Sequence, residues 1–210
     1  MRSVALLGVF ALAACSSNPA TPPVPPVPAD PENAQSVVEA ARQCEVADYP
    51  EVAVTMSVPE FGGNPDIATR NGLAGELYLE MISAAPCVYA LPSGLHFRIL
   101  RAAGEEGLTP EGGELVRVHY EGTSTEGETF DSSYDRGTPA EFPSGRLISG
   151  WVEALGLMRT GEEWELYIPA ELGYGARGTP GGPIGSNQTL YFRMELICLP
   201  GREDGGCDDA

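Results

Sequence analysis

The strongest constraint on the fold is an alternation of apolar and polar positions that recurs in three separate segments. Residues 115–120, 164–168 and 190–196 each place their larger apolar side chains at every second position. A period of two is the period of a β-strand with one buried face. Only one good helix fits between these segments, around residues 151–158. The pattern predicts an α+β fold, in which an antiparallel sheet wraps around a short central helix.

The first fifteen residues carry the features of an export signal. Arg2 gives a positive start, and residues 4–14 form an apolar run that is too short to span a bilayer as a helix. The run ends in small residues before Cys15, as in a bacterial lipoprotein signal, so we expect residues 1–14 to be removed and Cys15 to carry lipid. The alternative is an ordinary secretory signal in which Cys15 is incidental. No Asp follows Cys15, which by resemblance to lipoproteins favours the outer membrane over the inner one.

Residues 15–31 are dominated by proline after Asn18. Proline fixes φ and has no N–H to donate, so this segment is expected to be an extended, semi-rigid spacer between the lipid and the folded part. A site for a proline-reading partner is the alternative to a tether.

Residues 32–92 read as a small helical N-terminal region. Helical spacing of apolar residues predicts one helix within residues 31–48 and a second over residues 73–85, with a weak strand pattern at residues 52–58 between them. Pro86 ends the second helix. The side chains expected to share one apolar side of that helix are Leu73, Leu77, Met81 and Ala84. The region lacks a long heptad pattern, so the sequence leaves the oligomeric state open.

Charge narrows the range of partners. The formal net charge is -18, every basic residue is arginine, and residues 201–210 form an acidic tail. A chain this acidic, without a basic patch, has no electrostatic footprint for nucleic acid. It is also repelled by anionic headgroups, so membrane attachment is expected to depend on the lipid anchor.

Four cysteines remain after Cys15, and an even number in an exported chain favours disulfides. Three pairings are possible. We favour the pairing in which each of the two bridges stays within one segment, Cys44 with Cys87 and Cys198 with Cys207. A metal site is not expected, since no CxxC occurs and the two histidines, His96 and His119, lie far from any cysteine cluster.

The middle of the chain holds a set of aromatic residues near turns and in alternating segments, without helical spacing. They are Tyr120, Phe130, Phe142, Trp151, Tyr174 and Phe192. The acid–base pair Asp131 and Arg136 lies among them. This composition suits an apolar cup with a few fixed polar groups, the usual form of a site for a peptide or small ligand.

Other catalytic chemistry finds little support in the sequence. There is no Ser-His-Asp order and no phosphate-binding glycine loop. His119, on the strand face opposite Tyr120, is expected to be exposed. Glu162, Glu163 and Glu165 are expected to be solvated charges, and no cofactor is implied.

These residues resemble the FKBP-type peptidyl-prolyl cis-trans isomerases in five blocks that occur in the family's order. The blocks are Val-Arg-Val-His-Tyr-Glu-Gly from residue 116, Thr-Phe-Asp-Ser-Ser-Tyr-Asp-Arg from 129, Phe-Pro-Ser-Gly-Arg-Leu-Ile-Ser-Gly-Trp from 142, Leu-Gly-Tyr-Gly-Ala-Arg-Gly from 172 and Thr-Leu-Tyr-Phe from 189. The resemblance implies an isomerase domain over residues 93–200, with a sheet half-wrapped around a central helix. It also implies proline-containing unfolded or exported polypeptides as partners.

The resemblance assigns a role to each site residue. Trp151 would form the floor under the proline ring, and Tyr174 would offer its hydroxyl to the substrate carbonyl. Asp131 would sit at the rim, oriented by Arg136. The side chains that would form the walls, the backbone contact and the overhang are Tyr120, Phe130, Phe192, Leu147, Ile148 and Ile184. The backbone N–H of Ile148 matches the position that commonly bonds a ligand.

The family pattern is not complete. Ala140 stands where many eukaryotic members have phenylalanine, and Thr179 replaces a frequent histidine in the overhanging loop. An alternative function follows from the open wall and the extra N-terminal region: a non-catalytic holdase chaperone of the cell envelope that uses the same cup. A structural envelope lipoprotein is a third interpretation.

Overall fold

A computed structural model describes residues 23–49 and 54–207 of the chain. The predicted signal peptide, Cys15 and the end of the acidic tail lie outside these residues. The described residues form three α-helices and seven strands. The helices are α1 (Ala34–Arg42), α2 (Ile67–Ser83) and α3 (Ser149–Leu155). The strands are β1 (Tyr89–Ala90), β2 (His96–Arg101), β3 (Leu115–Ser124), β4 (Thr129–Ser132), β5 (Ala140–Pro143), β6 (Glu163–Ile168) and β7 (Leu190–Cys198).

One antiparallel sheet organises the described part of the chain. Its strands are ordered β1-β2-β6-β7-β3-β4, and β5 pairs with β3 on the edge beside β4. The three alternating segments of the sequence are β3, β6 and β7, which lie next to one another at the centre. The alternation predicted in β3 is confirmed, since Val116, Val118 and Tyr120 are buried while their neighbours are half-buried. The α+β class is thereby confirmed.

Helix α3 packs against the inner face of the sheet because a glycine lets it approach. A Cβ atom at Gly150 would lie 2.9 Å from Cγ2 of Ile168 on β6, closer than real Cβ contacts. Trp151, Ala154 and Leu155 of α3 are buried in the main hydrophobic core. The predicted helix at residues 151–158 is therefore present, although it begins two residues earlier and ends at Leu155.

Helix α1 joins the same core. Asn33 caps its first turn by accepting a hydrogen bond from the Ser36 N–H at 3.2 Å. Its buried residues are Val37, Val38, Ala40 and Ala41. The helix is shorter than the predicted span, and a 3₁₀ turn at Val46–Asp48 replaces its last part.

Helix α2 covers the outer face of the sheet with a different side from the one predicted. Its buried residues are Ala74, Gly75, Tyr78 and Ile82. Leu73, Leu77 and Met81 are 39%, 41% and 38% exposed, and Ala84, the residue after the helix, is also exposed. The apolar side predicted for this helix is therefore not the side that the sheet covers. Tyr78 instead packs near Tyr167 of the sheet and donates its hydroxyl to the Val54 carbonyl at 2.7 Å.

The segment between the two helices contains no strand within its described residues 54–58, although its backbone contacts the sheet region. The N–H of Met56 donates to the Thr125 carbonyl at 2.8 Å. Residues 52 and 53 of the predicted strand lie outside the described part.

The three glutamates near Trp164 are buried, so the expectation of solvated charges was wrong. Both faces of β6 are covered, and Glu162, Glu163 and Glu165 are each less than a tenth exposed. A buried carboxylate needs a cation or hydrogen-bond donors. The arginine partners are Arg42 for Glu162, Arg101 and Arg193 for Glu163, and Arg98 for Glu165.

The structure joins Cys44 to Cys87 with Cα atoms 5.7 Å apart, and Cys198 to Cys207 with Cα atoms 5.3 Å apart. These are the two pairings favoured from the sequence. The first bridge ties the end of α1 to the residues just before β1. Among the residues that the structure describes, no helix has both the length and the apolar character needed to cross a bilayer.

Candidate active site

A cavity of about 600 Å³ lies between α3, the inner face of the sheet and the loop after residue 178. Its volume is in the range of small-ligand and peptide sites. Nine of the ten side chains that were predicted to act on or bind substrate line it: Tyr120, Phe130, Asp131, Leu147, Ile148, Trp151, Tyr174, Ile184 and Phe192. The tenth, Arg136, lies at the rim and contacts two of the nine.

Trp151 forms the floor of the cavity from the first turn of α3. The ring of Tyr120 is centred 5.0 Å from it at an interplanar angle of 79°, and the ring of Phe192 is centred 5.1 Å from it at 81°. Edge-to-face contacts of this kind favour one ring orientation. Trp151 is only 5% exposed, and it lines the cavity.

Phe130 and Phe192 form one wall with their rings 5.5 Å apart and nearly perpendicular. They close over Gly122 of β3, which lies between them. A Cβ atom at Gly122 would lie 2.5 Å from Phe192 and 2.6 Å from Phe130. Only glycine therefore leaves room for this wall. Gly122 had no predicted role, and the spacing of apolar residues in β3 gives no signal for it.

The rim carries a hydrogen-bonded triad of Tyr120, Asp131 and Arg136. The Tyr120 hydroxyl donates to Oδ2 of Asp131 at 2.6 Å and accepts from Nη2 of Arg136 at 2.8 Å. Arg136 also donates to Oδ1 of Asp131. Burial opposes ionisation of Asp131, but the bonds from Tyr120 and Arg136 outweigh it and lower the pKa of this carboxyl. Asp131 therefore stays anionic at neutral pH.

The two tyrosine hydroxyls of the site are kept protonated. Burial, followed by the bond to Asp131, raises the pKa of Tyr120. Burial and the nearby charge of Asp131 raise the pKa of Tyr174. Tyr174 is 40% exposed, and its hydroxyl has no hydrogen-bond partner among the described residues. It is thus available to a ligand at any physiological pH.

The overhang is built from a self-bonded loop. The Thr179 N–H donates to the Ile184 carbonyl at 2.8 Å, and the Ile184 N–H donates to Oγ1 of Thr179 at 3.0 Å. Gly178 permits this turn, since a Cβ there would lie 2.3 Å from the Ile184 carbonyl oxygen. Ile184 is thereby presented to the cavity, in the place that the sequence predicted.

Four further residues line the cavity: Phe142, Arg146, Thr179 and Pro183. Thr179 and Pro183 belong to the loop of residues 179–186, which the family resemblance placed over the site, and Arg146 had no predicted role. Phe142 was part of the aromatic set, and its ring lies 6.1 Å from that of Trp151. Ala140, which was expected to open one wall, is packed against the main core and does not line the cavity. The signal for Arg146 was available, because it directly precedes Leu147 and Ile148.

The cavity holds no catalyst for covalent chemistry among its lining residues. His119 lies on the other face of β3, half-buried, where its Nδ1 is 2.9 Å from Oγ of Ser133 and its ring stacks on Tyr134. No group of three or more metal-ligating side chains occurs within the described ranges. Among its described residues, the site offers an apolar cup, one anion, and one free phenolic donor, the Tyr174 hydroxyl, because the Tyr120 hydroxyl already donates to Asp131. Such a site can bind and orient an uncharged group and exclude water from it.

Comparisons with known proteins agree with this arrangement. Residues 107–197 match the sequence profile of FKBP-type peptidyl-prolyl cis-trans isomerases. The chain is 47% identical over 123 residues to the FKBP-type 22 kDa peptidyl-prolyl cis-trans isomerase of Escherichia coli. The aligned residues make up 59% of this chain and 58% of that protein. It is 42% identical over 132 residues to outer membrane protein MIP of Legionella longbeachae, covering 63% of this chain and 55% of that protein.

A solved structure gives the same result for the fold. The crystal structure of a peptidyl-prolyl cis-trans isomerase from Pseudomonas syringae pv. tomato is similar with a TM-score of 0.58 and 32% identity, covering 65% of this chain and 98% of that chain. The chain spans little more than half the length of the two curated relatives, at 58% and 55%. The profile match at residues 107–197 contains α3, all of β3 to β6 and every residue that lines the cavity, whereas β1 and β2 precede it.

Proposed function

Because the chain belongs to the FKBP-type peptidyl-prolyl cis-trans isomerase family, we propose that it isomerises Xaa-Pro bonds in unfolded, exported polypeptides. The observation that carries the proposal is the convergence of nine predicted residues, distant in sequence, on one cavity. The volume of this cavity and its apolar floor suit a proline ring with the amides on either side of it.

The reaction needs no covalent catalyst. The barrier to rotation is about 18–20 kcal/mol because the C–N bond has double-bond character. Rotation breaks this conjugation, so the amide nitrogen becomes pyramidal and the carbonyl loses part of its polarity. A site that binds the twisted amide better than the planar one lowers the barrier, and about 1.4 kcal/mol of such preference accelerates rotation tenfold.

Each residue has a place in this mechanism. The proline ring stacks on Trp151 between Phe130 and Phe192, which excludes water from the amide. The Tyr174 hydroxyl donates to a substrate carbonyl, as does the N–H of Ile148, which has no acceptor among the described residues. Asp131, fixed by Tyr120 and Arg136, sets a negative potential beside the carbonyl carbon of the twisting bond. Leu147 and Ile184 hold the chain on either side.

A refolding assay tests the proposal. The rate of proline-limited refolding of a test protein is measured with the purified protein, with Trp151→Leu, and with Tyr174→Phe. We expect clear acceleration by the unsubstituted chain, a loss of about tenfold for Tyr174→Phe, which removes one donor, and a larger loss for Trp151→Leu. Equal refolding rates with and without the unsubstituted protein would reject catalysis.

We also propose that the chain is a lipoprotein of the bacterial cell envelope, anchored through Cys15 and facing the periplasm from the outer membrane. The apolar run before Cys15 supports the anchor, and one relative is named an outer membrane protein. Labelling cells with a radioactive fatty acid tests it. Incorporation should be lost in Cys15→Ser, and equal labelling of the two chains would contradict the anchor.

A second candidate function, a holdase chaperone without useful turnover, is favoured by the exposed apolar residues of α2. Leu73, Leu77 and Met81 lie along one side of this helix, each more than a third exposed. A holdase would suppress aggregation of an unfolded protein through such a surface. Suppression that survives Trp151→Leu but is lost in the double variant Leu77→Gln with Met81→Gln would support it, and absence of suppression by the unsubstituted chain would reject it.

A further inference from the structure

The loop that overhangs the cavity is tied to helix α2. Thr179, Pro183 and Ile184 of this loop line the cavity, and the chain then runs through residues 185–189 into β7. Residues 185–189 contain neither helix nor strand. Ile184 is held from the preceding side by its hydrogen bonds to Thr179, and from the following side by whatever fixes residues 185–189.

Asn71 makes the shorter of two side-chain hydrogen bonds that join α2 to residues 185–189. Its Nδ2 donates to the carbonyl of Ser186 at 2.9 Å, only two residues beyond Ile184. A longer bond runs in the opposite direction, from Nδ2 of Asn187 to the Ala68 carbonyl at 3.4 Å. The backbone N–H of Asn187 donates to the carbonyl of Gly175, the neighbour of Tyr174, at 2.9 Å. Hydrogen bonds thus connect α2, the overhanging loop and the backbone at Gly175, next to Tyr174.

A glycine brings the helix close enough for these bonds. A Cβ atom at Gly75 would lie 2.2 Å from Oγ1 of Thr189, the last residue before β7. The backbone of α2 therefore packs directly on the end of the loop, one turn along from Asn71. The contact between helix and loop is close at both ends of this segment.

We propose that Asn71 is a positioning residue for the isomerase reaction, which holds the loop through the Ser186 carbonyl so that Ile184 lies over the bound proline. The inference rests on the proposed function and extends it. Helix α2 lies outside residues 107–197, which the family profile matches. The isomerase site of this chain thus includes a residue of the N-terminal region, which does not touch the substrate itself.

The expected size of the effect follows from one hydrogen bond. Only loop conformers with Ile184 over the cavity contribute to binding the twisted amide, and each tie raises their population. Loss of one neutral hydrogen bond changes such a population by about twofold to about tenfold. The loss should appear in kcat/KM.

The test uses two variants at Asn71 and one control. Asn71→Asp keeps the size of the side chain but has no N–H to donate to the Ser186 carbonyl, and Asn71→Ala removes the group. Arg70→Gln changes the neighbouring, exposed residue of the same helix. Isomerisation of a neutral Xaa-Pro tetrapeptide is followed by NMR exchange, and near-UV circular dichroism checks the fold. We expect kcat/KM to fall by about twofold to about tenfold in both Asn71 variants and to stay unchanged in Arg70→Gln.

A double-mutant cycle with Ile184→Ala separates positioning from a general loss of structure. If Asn71 acts through Ile184, adding Asn71→Ala to Ile184→Ala changes kcat/KM by less than about twofold. Losses that multiply in full, or Asn71 variants that match Arg70→Gln, would overturn the inference while leaving the proposed function intact. Absence of catalysis by the unsubstituted chain would instead reject the proposed function, and this inference with it.

Discussion

The ion pair between Arg42 and Glu162 gives a quantitative test of how the N-terminal region is attached. The two side chains are 7% and 0% exposed, and Nε of Arg42 lies 2.8 Å from Oε1 of Glu162. Nη2 of Arg42 also donates to the Leu157 carbonyl at 2.8 Å, just after α3. One arginine therefore joins α1 to the element that carries Trp151.

Arg42→Met leaves the buried carboxylate without its cation. Breaking a buried pair in this way costs about 3–5 kcal/mol of unfolding free energy. Glu162 retains two neutral donors, the Arg159 N–H at 2.9 Å and the Trp164 indole N–H at 3.0 Å. These donors place the expected loss at the lower end, about 3 kcal/mol. For a chain of this size that loss lowers the thermal midpoint by about 6–12 °C.

Urea and thermal unfolding of the disulfide-intact protein measure the effect. Glu39→Ala is the control, because Glu39 lies 4.0 Å from the same arginine but is more than half exposed, and such a pair contributes about 0–1 kcal/mol. Adding Glu162→Gln to Arg42→Met removes the stranded charge, keeps an amide oxygen as acceptor for the two neutral donors, and should recover most of the loss. A loss below about 1 kcal/mol for Arg42→Met would refute the reasoning, since it would mean that water reaches Glu162.

Three further outcomes are expected. Gly122→Ala should displace the rings of Phe130 and Phe192, because a Cβ atom does not fit between them. We expect weaker peptide binding, measured by tryptophan fluorescence, and a loss of about 1–3 kcal/mol in the free energy of unfolding, measured in urea. Normal binding would show that the wall can move. The lowered pKa of Asp131 means that its ion pair stabilises the fold above the ordinary carboxyl pKa and is lost as pH falls through the folded value. Arg136→Leu should raise that pKa in a carbon-13 NMR titration, and an unchanged titration would contradict the role of Arg136. Glu165→Leu should strand Arg98 and destabilise the chain by about 3–5 kcal/mol in urea, and near-wild-type stability would show that the pair is not buried in solution.

The sequence predicted the parts of the fold that follow from local periodicity. The alternation around Val116 and Phe192 identifies strands of the central sheet, because a one-sided burial repeats with the period of the backbone. The roles of the aromatic set came from a different source, the resemblance of five sequence blocks to the FKBP-type isomerases. Trp151 and Tyr174 were thus placed at the cavity before any geometry was known.

What the sequence could not give depends on contacts between distant segments. The buried side of α2 is chosen by the tyrosines of the sheet and by Thr189, so Leu77 is exposed although it is more apolar than Tyr78. Glu163 looks solvated in isolation and is buried only because arginines from neighbouring strands reach it. Gly122 shows its role only when two rings from other strands close over it. Each of these is a property of a pair or triplet of elements.

The bridge between Cys44 and Cys87 has a consequence for when the chain can fold. It closes a loop of 43 residues, which by chain entropy disfavours the unfolded state by about 4 kcal/mol. A thiol pair gains this advantage only in an oxidising compartment. If the chain is exported as proposed, the newly made polypeptide lacks this advantage in the reducing cytosol and stays closer to the unfolded form that a secretion channel accepts.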